Sequence, residues 1–215
     1  MNNNSKISII SHRGYWLFKK EKNSLKAFKR SLSLGYGIEI DIRDYCGNLV
    51  VSHDIPTKNH LKLSTILNFY SKCDKQPVLA FNIKSNGLQN ELRNQLENFK
   101  INNYFIFDAS VPDAIDFINL GMITYTRQSE YETSPSFYDL ANGIWMDEFN
   151  RNWINDDILK FHLKNGKKIC IVSPELHGRD HRLIWKKLRK TLKENPKMEI
   201  SICTDYPLDV VKYFK

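Results

Sequence analysis

The sequence has no pair of cysteines at the spacing of a metal-binding or redox motif. Its four cysteines lie far apart along the 215 residues, and no histidine stands near them at the spacing of a zinc site. We therefore expect free thiols and a reducing, cytoplasmic location. The polar start of the chain, Met1 to Lys6, lacks the apolar stretch of a secretion signal and agrees with that expectation.

Long apolar runs are also missing. None approaches the roughly 18 residues that a membrane-spanning helix requires, so we expect any membrane contact to be peripheral. The sequence contains no internal repeat, low-complexity tract or linker, and 41% of its residues are hydrophobic, which is enough for one sizeable core. We expect a single domain over residues 1–215.

Acidic residues are fewer than basic ones. The chain has 24 of the former and 32 of the latter, which gives a net charge of +8. This excess makes anionic partners plausible. We find no nucleic-acid-binding motif and no platform of basic and aromatic residues, which argues against DNA or RNA.

What the sequence does contain is a regular alternation of short apolar runs and helical patterns. Such alternation is typical of an α/β chain with parallel strands. Eight strand and helix pairs predict a compact (β/α)8 TIM barrel with short loops and no large insertion, because 215 residues is close to the minimum for that fold. An open doubly wound sheet is the alternative, but no Gly-x-Gly-x-x-Gly follows the first strand. The predicted strands are Ile7 to Ser11, Ile38 to Arg43, Val78 to Lys84, Tyr104 to Asp108, Ile123 to Arg127, Gly143 to Asp147, Lys168 to Ser173 and Glu199 to Thr204, and the fifth helix is predicted at Ser136 to Leu140.

Polar side chains fall at the C-terminal ends of these strands, where barrel enzymes hold their active sites. In Glu39-Ile40-Asp41 two acids lie two positions apart on a strand, so both point to the same face. Carboxylates grouped in this way are suited to Mg²⁺ or Ca²⁺. The other strand ends contribute His12 and Arg13, Asn82 and Lys84, Asp108, Arg127, Asp147, Glu175 and Asp205.

These motifs resemble the glycerophosphodiester phosphodiesterase family, which belongs to the TIM-barrel phosphodiesterases similar to phospholipase C. The resemblance is specific over residues 11 to 54 and diffuse between residues 88 and 195. It rests on His12-Arg13-Gly14, Asn23-Ser24-Leu25-Lys26-Ala27-Phe28, Gly37-Ile38-Glu39-Ile40-Asp41 and Ser52-His53-Asp54, with weaker matches at Phe81-Asn82-Ile83-Lys84 and Cys203-Thr204-Asp205-Tyr206-Pro207.

The resemblance implies metal-dependent hydrolysis of an alcohol phosphodiester, which would place the protein in lipid metabolism. The implied cofactor is a divalent ion, Mg²⁺ or Ca²⁺, and the implied partner is a small-molecule or polyol phosphodiester substrate. The implied roles are general base for His12, general acid for His53, phosphate binding for Arg13 and Lys84, and metal binding for Glu39, Asp41 and the residue at position 82.

Asn82 stands where the family usually has a glutamate that completes the metal site. An amide oxygen can coordinate the ion but adds no charge, so we expect weaker binding. The site could work with two carboxylates, or Asp108, Asp147 or Glu175 could substitute. Alternatively, the chain is a catalytically weak or silent barrel that binds anionic phosphate ligands. We favour a working site.

Two further residues are candidates for the pocket. Trp16 lies in the aromatic stretch Tyr15-Trp16-Leu17-Phe18 of the first loop, followed by Lys19 and Lys20. This stretch could contact a sugar or a lipid surface, or it could pack over the top of a small barrel. Glu175 follows the seventh predicted strand, so it would lie at the rim.

Overall fold

Strands and helices alternate along residues 7–214, the part of the chain that the computed structural model describes. The fold is therefore α/β, as predicted, and the polar segment before Ile7 lies outside the described residues. Ten strands are described: β1 Ile7–Ser11, β2 Gly37–Tyr45, β3 Asn48–Val51, β4 Leu61–Lys62, β5 Leu79–Ile83, β6 Tyr104–Phe107, β7 Tyr125–Gln128, β8 Gly143–Met146, β9 Lys168–Val172 and β10 Ile200–Thr204. The helices in the same residues are α1 Leu25–Ser33, α2 Leu63–Tyr70, α3 Gln89–Asn98, α4 Val111–Asn119, α5 Asp156–Lys164, α6 Arg182–Glu194 and α7 Pro207–Phe214, with 3-10 turns at Lys19–Glu21 and Pro174–His177.

All eight predicted strands are present, and their ends differ from the prediction by at most two residues. The sequence analysis missed β3 and β4. A tight turn at Cys46 and Gly47, both with positive φ, folds β3 back on β2 as an antiparallel hairpin. The sequence signal for this hairpin was the glycine turn followed by the apolar run Leu49-Val50-Val51.

The helix predicted at Ser136 to Leu140 is wrong. The segment forms a hydrogen-bonded turn, in which the Phe137 carbonyl accepts from the N–H groups of Leu140 and Ala141. Phe137 has a φ of 45°, in the left-handed region, and a residue there cannot belong to a right-handed helix.

The chain divides into two compact units, and the first comprises Ser11–Thr124. Its strands lie in the order β4-β3-β2-β5-β6, with β2, β5 and β6 parallel. The helix α1 begins after Ser24, whose side chain accepts a hydrogen bond from the Ala27 N–H. Buried apolar side chains of the strands and of α1 to α3, including Ile38, Ile40 and Phe81, form one core.

Among the described residues, the second unit comprises residues 7–10 and 125–214. Its strands lie in the order β1-β10-β9-β8-β7, and β7 to β10 are parallel. Helices α5 and α6 contribute Leu159, Trp185 and Leu188 to a separate core, which also contains Ile144 and Ile171 of the strands. Among residues 7–214, no helix is long and apolar enough to cross a membrane.

His162 is a core residue of the second unit and has no role in the predicted site. Its side chain is buried between Gln128 Oε1, 2.7 Å from Nε2, and the Tyr138 hydroxyl, 2.9 Å from Nδ1. Burial, with a smaller contribution from the charge of Lys167, lowers the pKa of His162 to about 4. The folded protein therefore holds this imidazole neutral at pH values where the unfolded chain protonates it.

We expect His162 to make folding less stable in acid. As the pH falls from about 6.5 to about 4, only the unfolded state gains this proton, so the free energy of unfolding decreases by on the order of 2 kcal/mol. Denaturant unfolding at several pH values would measure the change. The variant His162→Gln should show a flatter dependence over this window, and a slope equal to that of the unaltered protein would contradict the assignment.

Candidate active site

A tight turn after β1 presents Arg13 to the acids of β2. The Gly14 N–H donates to the Ser11 carbonyl over 3.1 Å, and both Arg13 and Gly14 have positive φ, 56° and 82°. A Cβ on Gly14 would lie only 2.8 Å from the backbone carbon of Ala27, so glycine is required for this close approach to α1. The Arg13 N–H donates to Glu39 Oε2 at 3.0 Å, and its Nε lies 2.9 Å from Asp41 Oδ2.

The two acids of β2 are buried. Glu39 is 1% exposed and Asp41 is fully buried, while Ile38, Ile40 and Ile42 on the opposite face belong to the core. The alternation predicted from the sequence is therefore confirmed. Burial, and then the neighbouring Asp41 charge, raises the pKa of the Glu39 carboxyl well above its usual range, although Arg13 and Lys84 act in the opposite direction.

Asn82 lies beside these acids. In the parallel pairing of β2 with β5, Asp41 is the register partner of Asn82, and Asn82 is buried. Three oxygens of this group, Glu39 Oε1, Asp41 Oδ1 and Asn82 Oδ1, are buried and accept no hydrogen bond of normal geometry from any described residue. Burying polar oxygens without hydrogen bonds is costly, so this arrangement needs an explanation.

Lys84 extends the site along β5. Its Nζ lies 3.7 Å from Asp41 Oδ1 and 4.0 Å from Asp108 Oδ2, so it stands between two acids on neighbouring strand ends. Asp108 has a φ of 59° and thus adopts a left-handed backbone where β6 ends. Left-handed residues other than glycine are concentrated at functional sites.

The two candidate histidines, His12 and His53, lie before and after Arg13, Glu39 and Asp41 along the chain. His12 is half-buried in the turn that carries Arg13. The Ser52 N–H donates to the Asp41 carbonyl, which ties the loop containing His53 to β2. The exposed His53 donates from Nδ1 to Asp54 Oδ1 over 2.8 Å, and this contact orients the ring.

Asn23 is a site residue that the sequence analysis did not assign. Its Nδ2 donates to Asp41 Oδ2 over 2.8 Å, and its N–H donates to the Arg13 carbonyl over 2.9 Å. Asn23 has a φ of 57°, a conformation that asparagine tolerates better than most residues. The sequence feature that could have identified Asn23 was its position just before Ser24, the N-cap of α1, within the motif already matched to the family.

The two predicted pocket residues have different surroundings. The half-buried Trp16 has its ring beneath Lys22, whose Nζ lies 4.5 Å from the ring centre. Glu175 lies in the other unit, where its Oε1 accepts from the Thr204 hydroxyl and from the Asp205 N–H, and its Oε2 is 3.7 Å from His181 Nδ1. A pocket role stays a prediction for both residues.

The donor set fits a hard divalent cation. Two carboxylate oxygens and one amide oxygen are buried, lack hydrogen bonds from residues 7–214 and belong to register neighbours or to one strand face. Oxygen ligands of this kind suit Mg²⁺ or Ca²⁺. No group of three or more acidic, histidine or cysteine side chains able to hold a metal ion occurs in the described chain, since the third donor here is an amide.

The fold is similar to those of solved phosphodiesterase structures. A proposed glycerophosphodiester phosphodiesterase from Galdieria sulphuraria matches over 96% of this chain and 97% of its own, with 15% sequence identity and a TM-score of 0.76. An Oleispira antarctica phosphodiesterase in complex with the product sn-glycerol-3-phosphate matches over 96% of both chains, with 13% identity and a TM-score of 0.68. A Ca²⁺-dependent phosphatidylinositol-specific phospholipase C from Streptomyces antibioticus matches over 97% of this chain and 96% of its own, with 8% identity and a TM-score of 0.62.

These similarities establish the fold. The family resemblance predicted from the sequence is confirmed for the fold, because the chain is similar in structure to glycerophosphodiester phosphodiesterases. No protein-family model matches the sequence, and no curated protein is similar to it.

We expect Asn23 to hold Asp41 and Arg13 in place through its amide. Asn23→Gly keeps the left-handed backbone but removes the hydrogen bond to a buried carboxylate, and should lower the free energy of unfolding by about 1.5 to 3 kcal/mol. Asn23→Ala should cost about 1 kcal/mol more, because alanine is strained at this φ. Denaturant unfolding would measure both, with the exposed Asn59→Ala as a control; a Gly variant as stable as the unaltered chain would show that the amide does not support the site.

Proposed function

We propose that this protein is a metal-dependent phosphodiesterase that hydrolyses an alcohol phosphodiester, with a glycerophosphodiester as the expected class of substrate. The observation that carries the proposal is the convergence of Arg13 and Lys84 on buried acids whose free oxygens lack hydrogen bonds from the described residues. The likeness in fold to a phosphodiesterase in complex with sn-glycerol-3-phosphate supports a small phosphodiester as substrate.

A complete (β/α)8 barrel formed by a single domain is part of this proposal. The eight strands predicted from the sequence, all of them among the described strands, support it, as does the likeness to solved phosphodiesterase folds over nearly the whole chain. The cytoplasmic location rests on the four cysteines, all of them free thiols.

A divalent cation would be held by Glu39, Asp41 and Asn82, whose buried oxygens lack hydrogen bonds from the described residues and suit Mg²⁺ or Ca²⁺. Such an ion supplies Lewis-acid chemistry by offsetting the charge that develops on a phosphate oxygen. The Arg13 guanidinium and the Lys84 ammonium add positive charge for the remaining phosphate oxygens. Both cations contact Asp41 in this structure, so they are already directed toward the site.

His12 and His53 would move the protons of the reaction. His12 acts as general base toward the attacking hydroxyl, and His53 acts as general acid toward the leaving alkoxide. Asp54 accepts a hydrogen bond from His53 Nδ1, so Nε2 is the nitrogen that donates to the leaving group. The attacking hydroxyl belongs either to water or to a neighbouring group of the substrate, in which case the first product is a cyclic phosphate.

A second candidate function is a barrel that binds phosphate ligands without turning them over. Asn82 favours it, because its amide adds no negative charge to that of Glu39 and Asp41, and Arg13 and Lys84 oppose that charge. The less negative charge a site carries, the more weakly it binds a divalent cation and the better it binds an anion. Phosphate binding through Arg13 and Lys84 without turnover under any metal condition would favour this alternative.

We expect both histidines to be required for turnover. His12→Ala and His53→Ala should each lower kcat/KM by at least about 100-fold, because each removes one proton transfer. The measurement is hydrolysis of a panel of glycerophosphodiesters and of bis-p-nitrophenyl phosphate. His60→Ala, on the same loop as His53, is the matched control and should retain full activity. Turnover that survives His12→Ala would remove the proposed site.

We expect turnover to require millimolar rather than trace divalent ion, because Asn82 contributes no charge. Chelation should abolish hydrolysis, and Asn82→Asp should lower the metal concentration for half-maximal activity by about tenfold or more. Metal-induced changes in Tm provide a readout that does not depend on turnover: the unaltered protein should be stabilised by Mg²⁺ or Ca²⁺, and Asn82→Asp more strongly. Full activity after exhaustive chelation would contradict the metal assignment.

A further inference from the structure

The loop after β1 exposes two large apolar side chains beside two lysines. Leu17 is 56% exposed and Phe18 is 62% exposed, and both Lys19 and Lys20 are exposed as well. We call Leu17, Phe18, Lys19 and Lys20 the projecting loop. Adjacent large apolar side chains in water are unfavourable, so burial of this patch against another surface would be stabilising.

The one acid in this stretch is turned inward. Residues 15 to 30 contain six basic residues and a single acid, Glu21. Its Oε2 accepts hydrogen bonds from the Leu17 N–H and from Arg30 Nη1, each over 3.0 Å, and its Oε1 lies 2.8 Å from Lys26 Nζ. Glu21 is nearly buried, so the outer face of the loop combines apolar and positively charged side chains.

The projecting loop is also firmly held. The Tyr15 N–H donates to Ser31 Oγ and to the Ala27 carbonyl, both in α1, and Arg30 Nη1 donates to the Tyr15 carbonyl. These bonds fix the start of the loop on the helix. A loop held in this way presents Leu17 and Phe18 without first losing much conformational freedom.

We propose that the projecting loop docks the protein on the surface of a bilayer that contains anionic lipids. Leu17 and Phe18 would enter the boundary between headgroups and acyl chains, while Lys19 and Lys20 would contact the negatively charged headgroups. The charge complementarity follows from the inward turn of Glu21. A patch of two apolar side chains is small for a stable protein interface, which typically covers about 800 Å² on each partner.

The projecting loop follows a residue of the candidate site closely in the chain, since Leu17 comes four residues after Arg13. Docking of this loop would therefore bring Arg13 toward the lipid surface. This consequence rests on the proposed function, but the docking itself does not.

Vesicle binding tests the proposal without substrate or metal. The unaltered protein should sediment with phosphatidylglycerol-containing vesicles at least about tenfold more strongly than with phosphatidylcholine vesicles, and added salt should weaken the binding. Lys19→Glu with Lys20→Glu, and separately Leu17→Ser with Phe18→Ser, should each reduce binding by at least about tenfold. The matched controls are Lys160→Glu with Lys186→Glu and Leu140→Ser with Leu183→Ser, all at exposed positions, and should bind like the unaltered protein.

Several results would overturn the proposal. Binding to neither vesicle type, or equally strong binding to both, would contradict docking on anionic lipid. Control variants that lose as much vesicle binding as the loop variants would contradict it as well. So would self-association of the protein through the loop, which would show as self-association that Leu17→Ser with Phe18→Ser abolishes. Tm values establish that each variant is folded, and Lys19→Gln with Lys20→Gln replaces the charge reversal if that variant unfolds. Hydrolysis of soluble bis-p-nitrophenyl phosphate should be unchanged in the loop variants, so failure of docking and failure of the proposed activity are distinguishable.

Discussion

The burial of the Asp41 carboxylate is the constraint on which the candidate site depends. A carboxylate without contact to water is stable in a protein only if cations and hydrogen-bond donors surround it. Here Arg13, Asn23 and Lys84 all contact that one side chain. They come from the turn after β1, the start of α1 and the end of β5, so a single buried acid brings three parts of the chain together.

This requirement explains the unusual backbone around the site. Arg13, Asn23 and Asp108 account for three of the six non-glycine residues with positive φ in the described part of the chain. Each such conformation costs about 1 to 3 kcal/mol, and it persists only where surrounding contacts fix it. The contacts to Asp41 and Glu39 fix Arg13 and Asn23, which links backbone strain to the chemistry that the site can perform.

Buried and half-buried carboxylates shape loops elsewhere in the molecule by the same principle. Glu21 accepts from the first loop and from α1, and thereby leaves an apolar and cationic outer face. In the other unit, Glu148 Oε1 accepts from the Trp153 and Ile154 N–H groups, and Glu130 accepts from the N–H groups of residues 149 to 151. Each acid satisfies backbone donors that the irregular segment could not pair internally.

The sequence by itself determined eight of the ten described strands and most helices, because side-chain periodicity is a local property, and it predicted the residues of the candidate site from their positions at strand ends. The turn at Phe137 and the inward side chain of Glu21 depended on distant contacts or on backbone angles that composition does not reveal, whereas β3 was missed despite the local signal of the glycine turn before it. The role of Asn23 and the register of Asp41 with Asn82 likewise required the tertiary structure. Both contacts join segments that are far apart in the chain. The free energy of burying a charge depends on the groups that surround it, and only the tertiary structure brings those groups together.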